Sequence, residues 1–159
     1  MLFRSVKKGE GSFQIRSGSE IRYTPGSEGA AKFAAEGLKQ YFGLTLKTTP
    51  WIAGEISNCI LLQINQPNDG LQGTEGYMLK ITPEMIKLSA NTPAGLFYGV
   101  QTIGQMLSGG DGNTLPAAVI LDYPRFSYRG MHLDVSRHFM PLEFIDRKST
   151  RLNSSHVSQ

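Results

Sequence analysis

The sequence predicts an α+β fold: a sheet covered on one face by two helices, then one further strand of a different kind. Three observations predict it. Apolar residues alternate in short runs, at Ile60, Leu62, Ile64, at Tyr77, Leu79, Ile81 and at Ile86, Leu88, Ala90, which is the period of half-buried strands. They recur every three or four positions in two longer stretches, Ala30 to Tyr41 and Leu96 to Leu107, the period of amphipathic helices. Beyond Asp122-Tyr123-Pro124 the pattern changes: Met131, Leu133 and Val135 fall on one face of a strand, with His132, Asp134 and Ser136 on the other.

The elements follow in order. Phe13, Ile15 and Ile21, Tyr23 read as two short strands around the turn Ser17-Gly18-Ser19. Ser27 caps a helix with apolar positions Ala30, Ala34, Leu38 and Tyr41, and Gly43 stops it. The runs at 77–81 and 86–90 join through Thr82-Pro83-Glu84 as a hairpin. Thr92-Pro93 opens the second helix with a cap and a first-turn proline. Its stripe is Leu96, Val100, Ile103 and Leu107, and Gly109-Gly110 ends it. Gly95 and Gly99 have the spacing of a membrane dimer motif, but outside an apolar 20-mer the expectation is close contact between helix and sheet. After the loop Gly109–Asn113 comes a short apolar run, Ala118–Leu121. A strand like that at 130–136, apolar outward and polar inward, suits the wall of a parallel barrel with helices outside. One such strand cannot form a barrel by itself.

A chain of 159 residues suits one domain rather than two. Its hydrophobic fraction of 40% and charged fraction of 18% fit a globular core. The single Cys59, beside Ile60, Leu61 and Leu62, is expected to be a buried, inert thiol. No run approaches the ~18 apolar residues of a membrane span. The net charge of +3 comes from the ends: residues 6–145 hold twelve basic and twelve acidic side chains. The sequence therefore shows no basic patch of the kind that marks phosphate binding, and nucleic acid is not an expected partner.

The ends break the pattern. Residues 146–159, from Asp146-Arg147-Lys148-Ser149-Thr150-Arg151 onward, have no helical or strand period, and they resemble a translated sequencing adapter. Leu2-Phe3-Arg4-Ser5 resembles the opposite adapter end. The expectation is a native segment, residues 6–145, between foreign residues 1–5 and 146–159.

Three stretches carry a family resemblance. They are Ala94-Gly95-Leu96-Phe97-Tyr98-Gly99-Val100-Gln101-Thr102 with Gln105-Met106-Leu107, then Asp122-Tyr123-Pro124-Arg125-Phe126, then Tyr128-Arg129-Gly130 running into Leu133-Asp134-Val135-Ser136-Arg137-His138-Phe139. In this order and spacing, residues 6–145 resemble glycoside hydrolase family 20 β-N-acetylhexosaminidases, chitobiase-like enzymes. The resemblance implies a small mixed sheet with two helices on one face over 6–124, the family's N-terminal non-catalytic domain. Residues 125–145 then hold the first strand of an incomplete (β/α)8 catalytic barrel. It also implies that the parent enzyme removes terminal non-reducing N-acetylglucosamine or N-acetylgalactosamine, with the substrate's own acetamido oxygen as nucleophile. An adjacent Asp-Glu pair on a later barrel strand orients that group and protonates the leaving oxygen. This chain has five Asp and eight Glu, none adjacent in that order. The expected fragment is therefore inactive, with no catalytic residue of its own. Arg137 matches the family's arginine that hydrogen-bonds the sugar's outer hydroxyls, a role suited to a planar guanidinium fork. The resemblance implies N-acetylhexosamine-terminated glycans and the missing barrel as partners, no cofactor, and a periplasmic, secreted or lysosomal parent.

The rival readings are weaker. His132, Asp134 and His138 have the composition of a metal site, but six residues of strand would separate the histidines by about 20 Å. Gly109-Gly110-Asp111-Gly112-Asn113 lacks the Gly-Lys-Ser/Thr ending of a phosphate loop. Trp51 and Tyr98 are possible sugar platforms, with core or interface packing the default. The alternative function is a free-standing, non-catalytic α+β module that binds sugar or protein.

Overall fold

The alternating runs form strands and the wider stripes form helices, in the order β1 (Ser5–Gln14), β2 (Glu20–Tyr23), α1 (Glu28–Phe42), β3 (Lys47–Pro50), β4 (Cys59–Ile64), β5 (Tyr77–Ile81), β6 (Met85–Ala90), α2 (Pro93–Ser108) and β7 (Thr114–Asp122). A computed structural model of the chain describes residues 3–54, 56–130, 134, 137 and 141–144. It divides into two units, 1–124 and 125–159. All nine elements belong to the first.

The sheet is mixed and seven-stranded, in the order β1-β7-β5-β6-β4-β2-β3. Pairs from β1 to β6 are antiparallel, and those from β6 to β3 are parallel. Parallel neighbours cannot be joined by a tight turn, so α1 carries the chain from β2 to β3. The second helix carries it from β6 across to β7. Both helices pack on the sheet and on each other. Beneath them run apolar rows in register. Ile81 faces Ile86, which pairs with Ile60 and so with Ile21; Leu79, Leu88 and Leu62 form the next row. All seven are at most 2% exposed, and each contributes roughly 1.5–3 kcal/mol by leaving water.

The expected helix-to-sheet contact at Gly95 and Gly99 is present. A Cβ on Gly95 would overlap the carbonyl oxygen of Gly76 and lie 2.8 Å from the Ala90 Cβ. One on Gly99 would strike the Leu88 side chain. Thr92 caps α2 as expected, its side chain accepting from Gly95 N at 3.4 Å. Gly43 ends α1 in the left-handed region, φ 69°, with Leu44 N donating to Leu38 O at 3.1 Å, the closing bond of a Schellman turn.

Several local expectations are corrected. Ser27 precedes α1 but makes no side-chain cap bond. Its hydroxyl is fully buried and donates to Thr24 O at 2.5 Å and to Leu62 O at 3.2 Å, tying the helix start to β4. Ser27→Ala is therefore expected to cost about 1 kcal/mol, read as a lower midpoint in urea unfolding with an unchanged slope. Tyr41 is 74% exposed, while Ala31 takes its place in the core. The strand expected around Phe13 begins at Ser5, because pairing with β7 holds the polar residues Lys7 to Glu10 extended despite their exposure and a bulge between Lys8 and Ser12. The first two strands do not pair with each other, and the 15–19 link crosses the sheet end, Ser19 Oγ donating to Asn58 Oδ1 at 2.8 Å. Strand β3, Lys-Thr-Thr-Pro, has no apolar alternation and exists through its parallel pairing with β2. The run at 118–121 is the middle of the longer β7.

Among residues 1–5, Arg4 N donates to Asp122 Oδ1 at 3.3 Å and Ser5 pairs with Leu121. The barrel strand expected at 130–136, both neighbouring histidines and the tail 146–159 lie outside the described residues, apart from Gly130 and Asp134.

Candidate functional site

Arg137 is placed by its own local turn. Its backbone N–H donates to Asp134 Oδ1 at 3.2 Å, and its Nε lies 3.4 Å from Asp134 Oδ2. The guanidinium side chain is 87% exposed, so the pair is worth at most a few tenths of a kcal/mol. This contact with Asp134 holds the arginine's stem. Arg129 Nη1 donates to Phe126 O at 2.7 Å in the same unit. Phe126 and Tyr128 are 65% and 87% exposed. Among the described residues, no carboxylate pair or pocket gathers around Arg137.

The first unit offers little chemistry either. A depression of about 360 Å³ at the sheet end is lined by Ser12, Phe13, Gln14, Arg16, Asn58 and Glu84, among others. Among the described residues Glu84 is the only carboxylate on it, too few for acid–base work between two groups. No three His, Cys, Asp or Glu among the described residues are placed to hold a metal ion. No helix there is long and apolar enough to cross a membrane. Cys59 is buried as expected, and burial pushes its thiol pKa up, the reverse of what a reactive thiol needs.

One buried titratable group was not anticipated. Tyr77, opposite Asp122 on β7, shares a hydrogen bond of 2.6 Å with the Thr102 hydroxyl of α2. Burial pushes its pKa up to about 12, the Thr102 bond opposes this, and Asp122 adds to it. The neutral phenol is the folded form. Its contribution is complete below the unfolded pKa near 10 and is lost as pH rises through the folded value. Stability is expected to fall by about 2 kcal/mol between pH ~10 and ~12, and Tyr77→Phe should flatten that part of the profile. Its signal in the sequence was the burial of a phenol at a helix-facing strand position, which demands a partner.

A cluster of amides ties down the β4–β5 connection. The Asn91 side chain accepts from Asp69 N at 2.8 Å and Asn65 Nδ2 at 2.9 Å, and donates to Asp69 O and Gly73 O at 2.7 and 2.9 Å. This is structural work: every polar atom of the Asn91 side chain is turned to the loop. Between the helices, Phe33 of α1 and Phe97 of α2 pack with ring centroids 4.8 Å apart, and Tyr98, itself packed against the core, lies edge-on to Phe97 at 5.8 Å.

With no reaction centre in the described residues, likeness decides the class. Residues 2–123 match the family model described as glycosyl hydrolase family 20, domain 2. The chain belongs to glycosyl hydrolase family 20. It is 34% identical over 149 residues to a beta-hexosaminidase of Vibrio furnissii, a match covering 92% of this chain and 23% of that protein. A beta-N-acetylhexosaminidase of Cellulomonas fimi is 38% identical over 73 residues, covering 45% of this chain and 15% of its own. The solved beta-hexosaminidase of Streptomyces plicatus superposes with a TM-score of 0.71 at 29% identity, covering 94% of this chain and 31% of that one. This family 20 chain thus spans between about a seventh and a third of these relatives' lengths. The mixed sheet and two-helix layer are the family's domain 2.

Proposed function

We propose that this chain is the scaffold portion of an exo-acting β-N-acetylhexosaminidase and has no hydrolytic turnover by itself. One observation carries the reading: the match to domain 2 accounts for residues 2–123, and no Asp-Glu pair exists anywhere in the chain. Without that pair, nothing orients the acetamido nucleophile or protonates the leaving oxygen. The whole enzyme would release terminal N-acetylglucosamine or N-acetylgalactosamine by substrate-assisted retaining catalysis, in the periplasm, outside the cell or in a lysosome. Its missing barrel is the intramolecular partner. Residues 125–145 are the barrel's beginning.

Within that reading Arg137 binds substrate. Its fork is exposed, always charged and held by Asp134 only through Nε and the backbone, which leaves the terminal nitrogens to donate to two neighbouring hydroxyls. The test joins residues 6–145 to the barrel of the Vibrio furnissii relative from the matching position onward. Turnover of a chromogenic N-acetylglucosaminide is expected. Arg137→Lys should lower its kcat/KM roughly 10- to 150-fold, the loss of a charged hydrogen bond of about 1.5–3 kcal/mol, mostly through KM. An active fusion indifferent to Arg137→Lys would remove that residue from the site. A folded but inactive fusion would remove the enzyme reading.

A further inference from the structure

The helices cover one face of the sheet, and the register gathers cations on the other. By strand alternation the helix side takes Leu79, Ile81, Ile86 and Leu88, so Lys80 and Lys87 stand on the open side. They are directly opposite each other on β5 and β6. The same cross-sheet row continues from Lys80 through Val119 to Lys7 on β1, and from Lys87 through Leu61 to Arg22 on β2. Lys7, Lys80 and Lys87 are exposed and make no ion pair among the described residues. Like charges directly opposite in a sheet are destabilising, and no ion pair among the described residues relieves this pair. Twelve bases and twelve acids balance along residues 6–145, but the fold sorts them. This row is not readable in the sequence, because residues 7, 22, 80 and 87 meet only through pairing.

A second observation lies at the β2–β3 end of the same face. Trp51 continues the β3 ladder, its N–H donating to Tyr23 O at 2.8 Å. Alternation from Thr49, the partner of Arg22, puts its indole on the open side. Trp51 Nε1 is a buried atom with no hydrogen-bond partner, while Arg22 Nε is held in an ion pair by Glu20 Oε2 at 3.4 Å. Buried unpaired donors are rare and costly.

We infer that the open face of the sheet binds an acidic glycan chain laid across the strands, with Trp51 as a sugar platform and Arg22, Lys87, Lys80 and Lys7 taking its carboxylates or sulfates. Spacing favours this polymer. At about 4.8 Å per strand, Lys7 to Lys80 and Lys87 to Arg22 are each ~10 Å, and the row is ~24 Å long. The one or two charges of each acidic disaccharide suit gaps of one and two strands better than duplex DNA, whose strands each carry a phosphate every ~3.4 Å of axis. The choice of a glycan rests on the enzyme reading above; the charged face does not.

The test is binding by the full chain, which needs no turnover and so fails or succeeds apart from the enzyme reading. Calorimetric titration with size-defined chondroitin sulfate is expected to show binding that weakens with salt, and chitohexaose, its neutral counterpart, should bind at least tenfold more weakly. Lys80→Gln with Lys87→Gln should weaken chondroitin sulfate binding at least tenfold with the unfolding midpoint unchanged or higher. Trp51→Phe should weaken it severalfold, and Lys32→Gln with Lys39→Gln on α1 should not change it. Equal binding by the Lys80/Lys87 variant would overturn the inference. So would tighter binding of a single-stranded oligodeoxynucleotide of matched charge, or no binding of chondroitin sulfate at low salt.

Discussion

Alanine at Gly95 is expected to destabilise the first unit by about 3 kcal/mol or more, lowering Tm by roughly 10 °C. The added methyl group has nowhere to go. It would overlap the Gly76 carbonyl oxygen and meet the Ala90 Cβ at 2.8 Å, and Ala90 is itself fully buried on β6. Backbone on one side and a core strand on the other cannot yield as a flexible side chain would. In an open helix interior the same substitution gains about 1 kcal/mol. Gly104, also in α2, has nothing within 4 Å of the point where a methyl group would sit, so Gly104→Ala should stabilise by about 0.5–1 kcal/mol. Opposite signs at two glycines of one helix, read by thermal unfolding, separate packing from propensity. Gly99→Ala should fall between them and on the destabilising side, since Leu88 must move within a filled core.

The second large effect is expected at Asn91. Asn91→Ala removes four hydrogen bonds at once and leaves Asp69 N, Asp69 O and Gly73 O short of partners. At about 0.5–1.5 kcal/mol each, with a penalty for groups left buried, the loss is about 3 kcal/mol. It should be local in character. Hydrogen exchange in residues 65–76 should accelerate by two orders of magnitude or more, while amides of β4 and β6 slow or quicken only with global stability. Asn91→Asp keeps both acceptor roles and loses both donor roles, so its effect should be intermediate. Because Gly76 ends this same loop and its carbonyl packs on Gly95, the two substitutions are neighbours. Their effects should not add in the double variant.

What the sequence made legible were elements that write burial into their own spacing. Both helices, the β5–β6 hairpin and the Gly95–Gly99 contact were readable because one buried face imposes a period or excludes a side chain. The first half of β1 and all of β3 were not, since Lys-Lys-Gly-Glu and Lys-Thr-Thr-Pro become strands through partners distant in the chain. Ser27 shows the same limit: its residue type predicts a cap, but β4 takes its hydroxyl. The alternation Ile60, Leu62, Ile64 read as a half-buried strand, yet Leu61 on the other face is buried as well. Arg137 came from a resemblance rather than from any period, and the described residues show its ion pair without the sugar site. The cationic row was invisible in sequence, as its members are up to eighty positions apart.

The central claim is that this chain keeps the family 20 scaffold and lacks the groups that cleave the glycosidic bond. Its most direct test is hydrolysis of 4-nitrophenyl N-acetyl-β-D-glucosaminide by the purified, folded chain. The rate predicted is that of the buffer alone. Nitrophenolate release above that rate, lost on denaturing the chain and unchanged by repeated purification, would contradict it.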